Sequence, residues 1–355
     1  MTLDGPVLVV GAGLLGTSIA LSLRRRDVDV ALRDVSAENL RIASGMGAAN
    51  VDADDIRPRL VVVAVPPVHL AEQITEALRS TDAVVTDVGS VKGAPLAATR
   101  ERVTADQLMR YVGSHPMAGS ERSGPFAASD ALFDGRPWAI TPHESVAASS
   151  VEMVTELARL CGATPVTFAP EEHDQAVART SHLPHLLAAL VAGRLTDAPR
   201  EHLALSGQGV RDVTRIAAGD SALWQQIISA NTEALTALLR DVRDDLDTLL
   251  TALSDGDHGS IVGVLDRGVQ GTAAIPGKHG APRGPVSTVF VTIPDHPGEL
   301  ARLFADASEI GVNVEDVRID HDPGREYGLL ELSVDAASVD HLLASLEERG
   351  WTTHR

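Results

Sequence analysis

"PVLVVGAGLLGTSIALSLRRR", residues 6–26, places a short β-rich run directly before Gly11, Gly13 and Gly16 and an apolar helical pattern directly after them. The first glycine permits a tight turn, the second lets a pyrophosphate approach the backbone, and the third lets helix pack on strand. The helix N-terminus then offers its free N–H groups to the phosphates. A second strand, "VDVALRD", ends at Asp34, about the distance past the glycines at which a carboxylate grips a ribose 2′-hydroxyl. That carboxylate repels a 2′-phosphate, so NAD is the expected cofactor, and Arg33 beside it leaves some room for NADP.

Further strands are expected at 60–67 ("LVVVAVPP"), 83–92 ("AVVTDVGSVK"), 109–115 ("MRYVGSH") and 137–142 ("PWAITP"), the earlier ones alternating with helical stretches. This order is that of a doubly wound α/β sheet of the Rossmann type, in which ligands sit beyond the carboxyl ends of the strands. Three such ends carry polar or special residues: Pro66-Pro67, Gly89-Ser90-Val91-Lys92 and Gly113-Ser114-His115. The cofactor is expected to touch Gly11, Gly13, Leu14, Leu15, Gly16, Asp34, Val65, Pro66 and Ser90.

The chain of 355 residues exceeds what one hydrophobic core usually serves, and 44% hydrophobic content supports globular folding. Its net charge of −19 opposes binding to a nucleic-acid backbone and means that an anionic ligand must meet locally placed cations. The longest apolar run, at 60–68, is far short of a membrane span, and the first residues show no basic-then-apolar signal, so a soluble cytoplasmic protein is expected. The single cysteine, Cys161, excludes a disulfide framework, fits a reducing compartment and reads as a small buried apolar residue.

Residues 1–169 form the nucleotide-binding domain on this reading, and 170–267 a helical second domain that opens with "EEHDQAVARTSHLPHLLAALVAGRL". Leu223, Ile227, Ile228, Leu235, Leu238 and Leu239 form an apolar stripe suited to a partner subunit or to core packing within one chain. The Gly- and Pro-rich stretch 268–285 reads as a linker. Residues 286–355 follow the order βαββαβ, a ferredoxin-like small domain.

The loop "GSHPMAGSERSG", residues 113–124, supplies the chemistry. His115 follows a strand at the carboxyl edge of the sheet, where an imidazole can take the proton of a hydroxyl as hydride leaves the substrate. Ser90, ending the neighbouring strand, hydrogen-bonds the same histidine or the reacting hydroxyl. In "TSHLPH", His182 and His185 lie three apart on one helix face, and the missing third and fourth ligands argue against a metal. Arg215 sits in sequence among Val213, Ile216 and Ala217, where a guanidinium suits bidentate grip of a carboxylate.

"GAGLLGTSIA", "DVGSVK", "GSHPMAGSERSG", "TSHLPH" and "RDVTRIAAGDSALW", in that order, resemble the prephenate dehydrogenases of the TyrA family over roughly residues 6–255. The tail, with "PDHPGEL" and "GVNVEDV", resembles an ACT domain. The resemblance implies a homodimer joined through helical domains and NAD-dependent oxidative decarboxylation of prephenate to 4-hydroxyphenylpyruvate in tyrosine synthesis. It assigns His115 to the substrate's ring hydroxyl, Ser90 to a place beside it and the nicotinamide, and Arg215 to the side-chain carboxylate. His185 becomes a substrate-binding histidine, and Ser120 and Trp224 line the pocket. Gln208 stands where the family is usually glycine-rich, which leaves open the choice between prephenate and its amino analogue arogenate. The ACT resemblance implies tyrosine as effector, held at Pro297 and Gly298 before the first helix and by Asn313. Two other classes remain. Another NAD(P)-dependent hydroxy-acid dehydrogenase would not need "SHLPH" and "TRIA" together, and a non-catalytic NAD-sensing regulator could dispense with His115.

Overall fold

The computed structural model describes residues 3, 5–118, 124–275, 286–320 and 327–355. The chain divides into two units, Met1–Asp244 and Asp245–Arg355, and the division falls inside the helix Thr232–Asp255.

The first unit is built on strands β1 (Val7–Val10), β2 (Val30–Arg33), β3 (Leu60–Val63), β4 (Val84–Asp87), β5 (Tyr111–Pro116), β6 (Pro137–Thr141) and β7 (Thr164–Thr167). Their spatial order is β2-β1-β3-β4-β5-β6-β7. The first five run parallel, β6 returns antiparallel to β5, and β7 is parallel to β6. The chain winds outward from β1 to β2 and then back across to β3, which puts the switch point beside β1 and the glycine turn that follows it. Period-two alternation divides the strands between two cores. Val7, Val9, Leu60 and Val62 pack with Ile19, Leu23 and Leu157 on one face, and Leu8, Val61, Val63 and Val85 pack with Leu70, Ile74 and Leu78 on the other. Cys161 lies in the first of these cores, where burial pushes its thiol pKa far up, as an inert apolar side chain requires. β7, "TPVT", went unread in the sequence because it is short, polar and mostly exposed.

A helical run then folds back on the sheet. The helix Pro170–Val177 begins with Pro at its first position and Glu171 and Glu172 in its first turn, both favourable at an N-terminus. It passes through a wide π-turn, Ala178–His182, into the helix Leu183–Gly193. Beyond lie the helix Gln208–Thr214, a 3-10 turn Arg215–Ala218, and the helix Ser221–Ala230, whose N-terminus Asp220 caps through Ala222 N (2.8 Å) and Leu223 N (2.9 Å). Of the expected apolar stripe, Ile227 and Leu235 are core residues, whereas Leu223 is 42% exposed.

In the second unit the helix His258–Ala273 runs into the stretch read as a linker from residue 268. Val269 continues the spacing of Val262 and Leu265, and this period outweighs Gly268 and Gly271; residues 276–285 lie outside the described residues. The tail forms β8 (Val286–Pro294), the helix Glu299–Ile310, β9 (Val314–Asp320), β10 (Tyr327–Asp335), the helix Val339–Glu348 and β11 (Thr352–His354). The sheet order β11-β8-β10-β9, antiparallel throughout, is the ferredoxin-like arrangement expected. Val289, Val291, Leu330, Leu332 and Val334 face Leu303, Leu342 and Leu346 of its two helices. Among the described residues no helix is long and apolar enough to cross a membrane.

Candidate active site

The glycine turn has the shape a dinucleotide needs. Gly11 adopts φ 107°, and a Cβ there would stand 2.3 Å from the Ala64 carbonyl oxygen. A Cβ at Gly16 would meet the Gly11 carbonyl oxygen at 1.8 Å, so helix and strand pack at a distance only glycine allows. Gly13 is different: nothing lies within 4 Å of its would-be Cβ, and no side chain caps the helix Leu14–Arg24 that it starts. Open space at an uncapped N-terminus is what a pyrophosphate requires. Leu14 and Leu15 are half-buried at this turn, and Val65 is half-buried and Pro66 exposed after β3. Asp34 ends β2 with one carboxylate oxygen accepting from Ala12 N (2.6 Å) and the other from Ser36 N (2.7 Å). The acid is thereby fixed beside the glycine turn, while Arg33 points to solvent and pairs with exposed Asp54 at 3.5 Å.

Behind the carboxyl ends of β4 and β5 lies a buried polar cluster. The Lys92 ammonium donates to the Asp87 carboxylate and to the Ser114 carbonyl (2.6 Å), and the Tyr111 hydroxyl donates to the other Asp87 oxygen at 2.8 Å. Burial lowers the Lys92 pKa, against the pull of Asp87, and raises that of Tyr111 well above its ordinary value. Every charge here has a partner, so the cluster ties the two strand ends together.

His115 stands two residues beyond the last β4–β5 pair, Asp87↔Gly113, and is buried. Its Nδ1 lies 3.0 Å from Nε2 of His173, whose Nδ1 lies 2.9 Å from Oδ1 of Asp174. Asp174 in turn accepts from the backbone N–H groups of Lys92 and Gly93, each at 2.8 Å. Burial, and after it the neighbouring His173, Lys92 and His182, hold the His115 pKa well below the usual imidazole value. A neutral imidazole able to accept a proton is the result.

The helical run closes this side. The Asn231 amide donates to the Asp174 carbonyl (2.8 Å) and reaches His182 Nδ1 at 3.2 Å. Burial drives the His182 pKa down to about 4. Trp224 stacks on His185 and meets His182 edge-on. His115, His182, His185 and Trp224 are thus joined through His173, Asp174 and Asn231.

Ser90 is half-buried just past β4 and makes no hydrogen bond among the described residues. Arg215 does not sit inside an apolar pocket: it is exposed, as are Val213 and Ile216, because residues adjacent on a tight turn point in different directions. It has no ion pair among the described residues, and its turn packs on the helix bearing His185. Gln208 is exposed and donates to Asp212 Oδ1 (2.9 Å) on its own helix. Ser120 lies outside the described residues. In the second unit, Gly298 precedes the helix Glu299–Ile310 at φ 98° with no side-chain cap, Pro297 beside it is exposed, and exposed Asn313 donates to Glu315 Oε1 at 2.5 Å.

Sequence reasoning named Lys92 only as part of a strand end and did not single out His173, Asp174, Tyr111 or Asn231. A signal existed for two of them: His173, Asp174, Val177 and Ala178 fall on the core-facing stripe of their helix, and polar residues on such a stripe need partners.

Residues 19–167 match the family model described as the prephenate dehydrogenase nucleotide-binding domain, and residues 169–267 match that of the prephenate dehydrogenase dimerization domain. The chain is 36% identical to a probable prephenate dehydrogenase, NovF, of Streptomyces niveus over 97% of its own length and 98% of the relative's. It is 30% identical to a cyclohexadienyl dehydrogenase of Zymomonas mobilis, over 73% of this chain and 92% of that one. A crystal structure of prephenate dehydrogenase from A. aeolicus, in complex with hydroxyphenyl propionate and NAD+, superposes with a TM-score of 0.68 at 26% identity, covering 76% of this chain and 97% of the other. The two domain matches follow one another in order and together span most of the chain, so the chain belongs to the prephenate dehydrogenase family.

Proposed function

We propose that the protein is an NAD-dependent dehydrogenase that converts prephenate to 4-hydroxyphenylpyruvate with loss of CO₂. The observation that carries this reading is His115, neutral and anchored by His173 at the carboxyl edge of the sheet. The cofactor fits the open Gly13 turn and the Asp34 carboxylate, and when bound it supplies the hydride acceptor. The chain's own residues do the rest. His115 takes the proton of the ring hydroxyl as hydride departs from the same carbon, and Ser90 holds that hydroxyl in line. The C–C bond to the ring carboxylate then breaks, its electron pair aromatises the ring, and the oxygen takes its proton back from His115. No net proton is released, and aromatisation makes the sequence irreversible. Arg215, a cation without an ion pair among the described residues, is assigned to the side-chain carboxylate, with His185, Trp224 and Ser120 lining the pocket.

The helical stretch 170–267 serves in this reading as substrate and dimerisation domain. The exposed rows Leu246, Leu250, Leu253 and Val262, Leu265, Val269 support a homodimer. The tail is read as an ACT-like module through which tyrosine inhibits, with Pro297 and Gly298 shaping an uncapped helix N-terminus and Asn313 nearby in sequence. The second reading, arogenate as substrate, is favoured by Gln208 in place of a small residue. Mixing purified protein with prephenate or arogenate and NAD or NADP, and following reduced-nicotinamide absorbance, separates them. Prephenate with NAD should give the highest kcat/KM. A higher value with arogenate favours the second reading, and activity only with another hydroxy acid overturns both.

A further inference from the structure

We infer that His173 and Asp174 are positioning residues that fix the tautomer of His115. The inference rests on the reading of His115 as the proton acceptor. Asp174 accepts backbone N–H groups on both oxygens, from Lys92 on Oδ1 and from Gly93 on Oδ2. Its Oδ1 therefore faces His173 as an acceptor too, and His173 carries its proton on Nδ1. The lone pair of His173 is then on Nε2, 3.0 Å from His115 Nδ1. That contact makes a hydrogen bond only if His115 carries its own proton on Nδ1. The remaining nitrogen of His115, Nε2, is left with a free lone pair. The opposite arrangement needs His173 protonated on both nitrogens, and the buried Lys92 ammonium opposes that second charge. The Asp87 carboxylate is already engaged by Lys92 and Tyr111. The chain Asp174–His173–His115 thus transmits one instruction from the N-terminus of the helix Gly93–Arg100 to the base: protonated on Nδ1, accepting on Nε2.

The order differs from a carboxylate resting directly on the base, since an imidazole stands between. When His115 takes a proton, its Nδ1–H can strengthen its bond to His173 without any group losing a partner. Asn231, which donates to the Asp174 carbonyl, and His182 beside it hold the far side of the chain in place.

Histidine-selective ¹⁵N NMR on the full-length protein without ligands tests this directly. Wild type should show His115 protonated on Nδ1 with an unprotonated Nε2, and the reverse tautomer would overturn the inference. His173→Leu removes the acceptor but leaves Asp174 on its two backbone amides. It should shift His115 toward the other tautomer and lower kcat about 10- to 100-fold, with KM within severalfold. His173→Gln restores a carbonyl acceptor and should recover most of the loss. A leucine variant with wild-type tautomer and kcat within about twofold, or a glutamine variant no better than leucine, would sink it. Should wild type oxidise neither prephenate nor arogenate, the proposed function fails, while the tautomer measured on the free protein still decides this inference.

Discussion

His185 lies flat against Trp224, with ring centroids 3.5 Å apart and planes inclined by 12°. Gly219 makes the stack possible. A Cβ at that position would come within 2.7 Å of Trp224 Nε1 and 3.4 Å of His185 Cε1. Gly219→Ala must therefore push Trp224 off its seat. If the stack forms one wall of the substrate pocket, KM should rise more than kcat falls in steady-state measurements. An unchanged KM would remove His185 and Trp224 from the pocket.

His115→Asn keeps a polar side chain and removes the base. Turnover should fall by about 10²–10⁴ with substrate binding within severalfold. Near-normal turnover would contradict the assignment.

The depressed His115 pKa fixes the shape of the pH profile. Because burial, and after it the neighbouring His173 and the Lys92 ammonium, hold it well below the ordinary imidazole value, the base stays neutral through neutral pH and below. kcat should be flat from about pH 8 down past the usual histidine pKa of ~6.5 and fall only in more acidic solution. A limb at ~6.5 would show an unburied base.

Stability should follow the same groups. His182, with its pKa near 4, and His115 are neutral in the folded chain but take up protons in the unfolded chain below ~6.5. Between those values the unfolded state binds more protons, so stability falls as pH falls, by on the order of 1 kcal/mol per pH unit for each histidine. Urea midpoints measured between pH 7.5 and 5 should decline, and Asn at position 182 should flatten the slope.

Asp34→Ser leaves one acceptor where two backbone amides and a ribose compete. The ratio of kcat/KM for NAD over NADP should drop by at least about tenfold, since a carboxylate no longer repels the extra phosphate. A wild type that already prefers NADP would overturn the reading of β2.

Gly298 at φ 98° cannot be replaced by a β-branched residue without strain. Gly298→Val should leave turnover near wild type and weaken inhibition by tyrosine, followed by activity titration and calorimetry. Equal inhibition of both proteins would relocate tyrosine to the active site.

Much of this was legible in the order of residues. The glycine turn, the strand ending at Asp34 and the histidine at the edge of β5 each follow from local pattern, because turn, strand and helix are local physics. The tail's alternation of strand and helix was legible for the same reason. The Asp174–His173–His115 chain was not, since it joins residues 58 apart whose neighbourhood no periodicity records. The apolar surroundings expected for Arg215 were not legible for a related reason: adjacency along the chain says nothing of which way a 3-10 turn aims its side chains.

The π-turn at Ala178–His182 has a consequence for phase. A wide turn absorbs one residue more than regular α-helical winding would, so everything beyond it lags by about 100°. Counted along the chain, Asp174 and His182 are eight apart, which in an unbroken helix would aim them about 80° from one another. With one residue taken up by the turn they behave as if seven apart, nearly in line, and a single Asn231 amide reaches both the Asp174 backbone carbonyl and the His182 ring. The helix is out of step by one, and deleting any one residue from 178–181 should restore its regularity while swinging His182 and His185 away from the histidine they accompany.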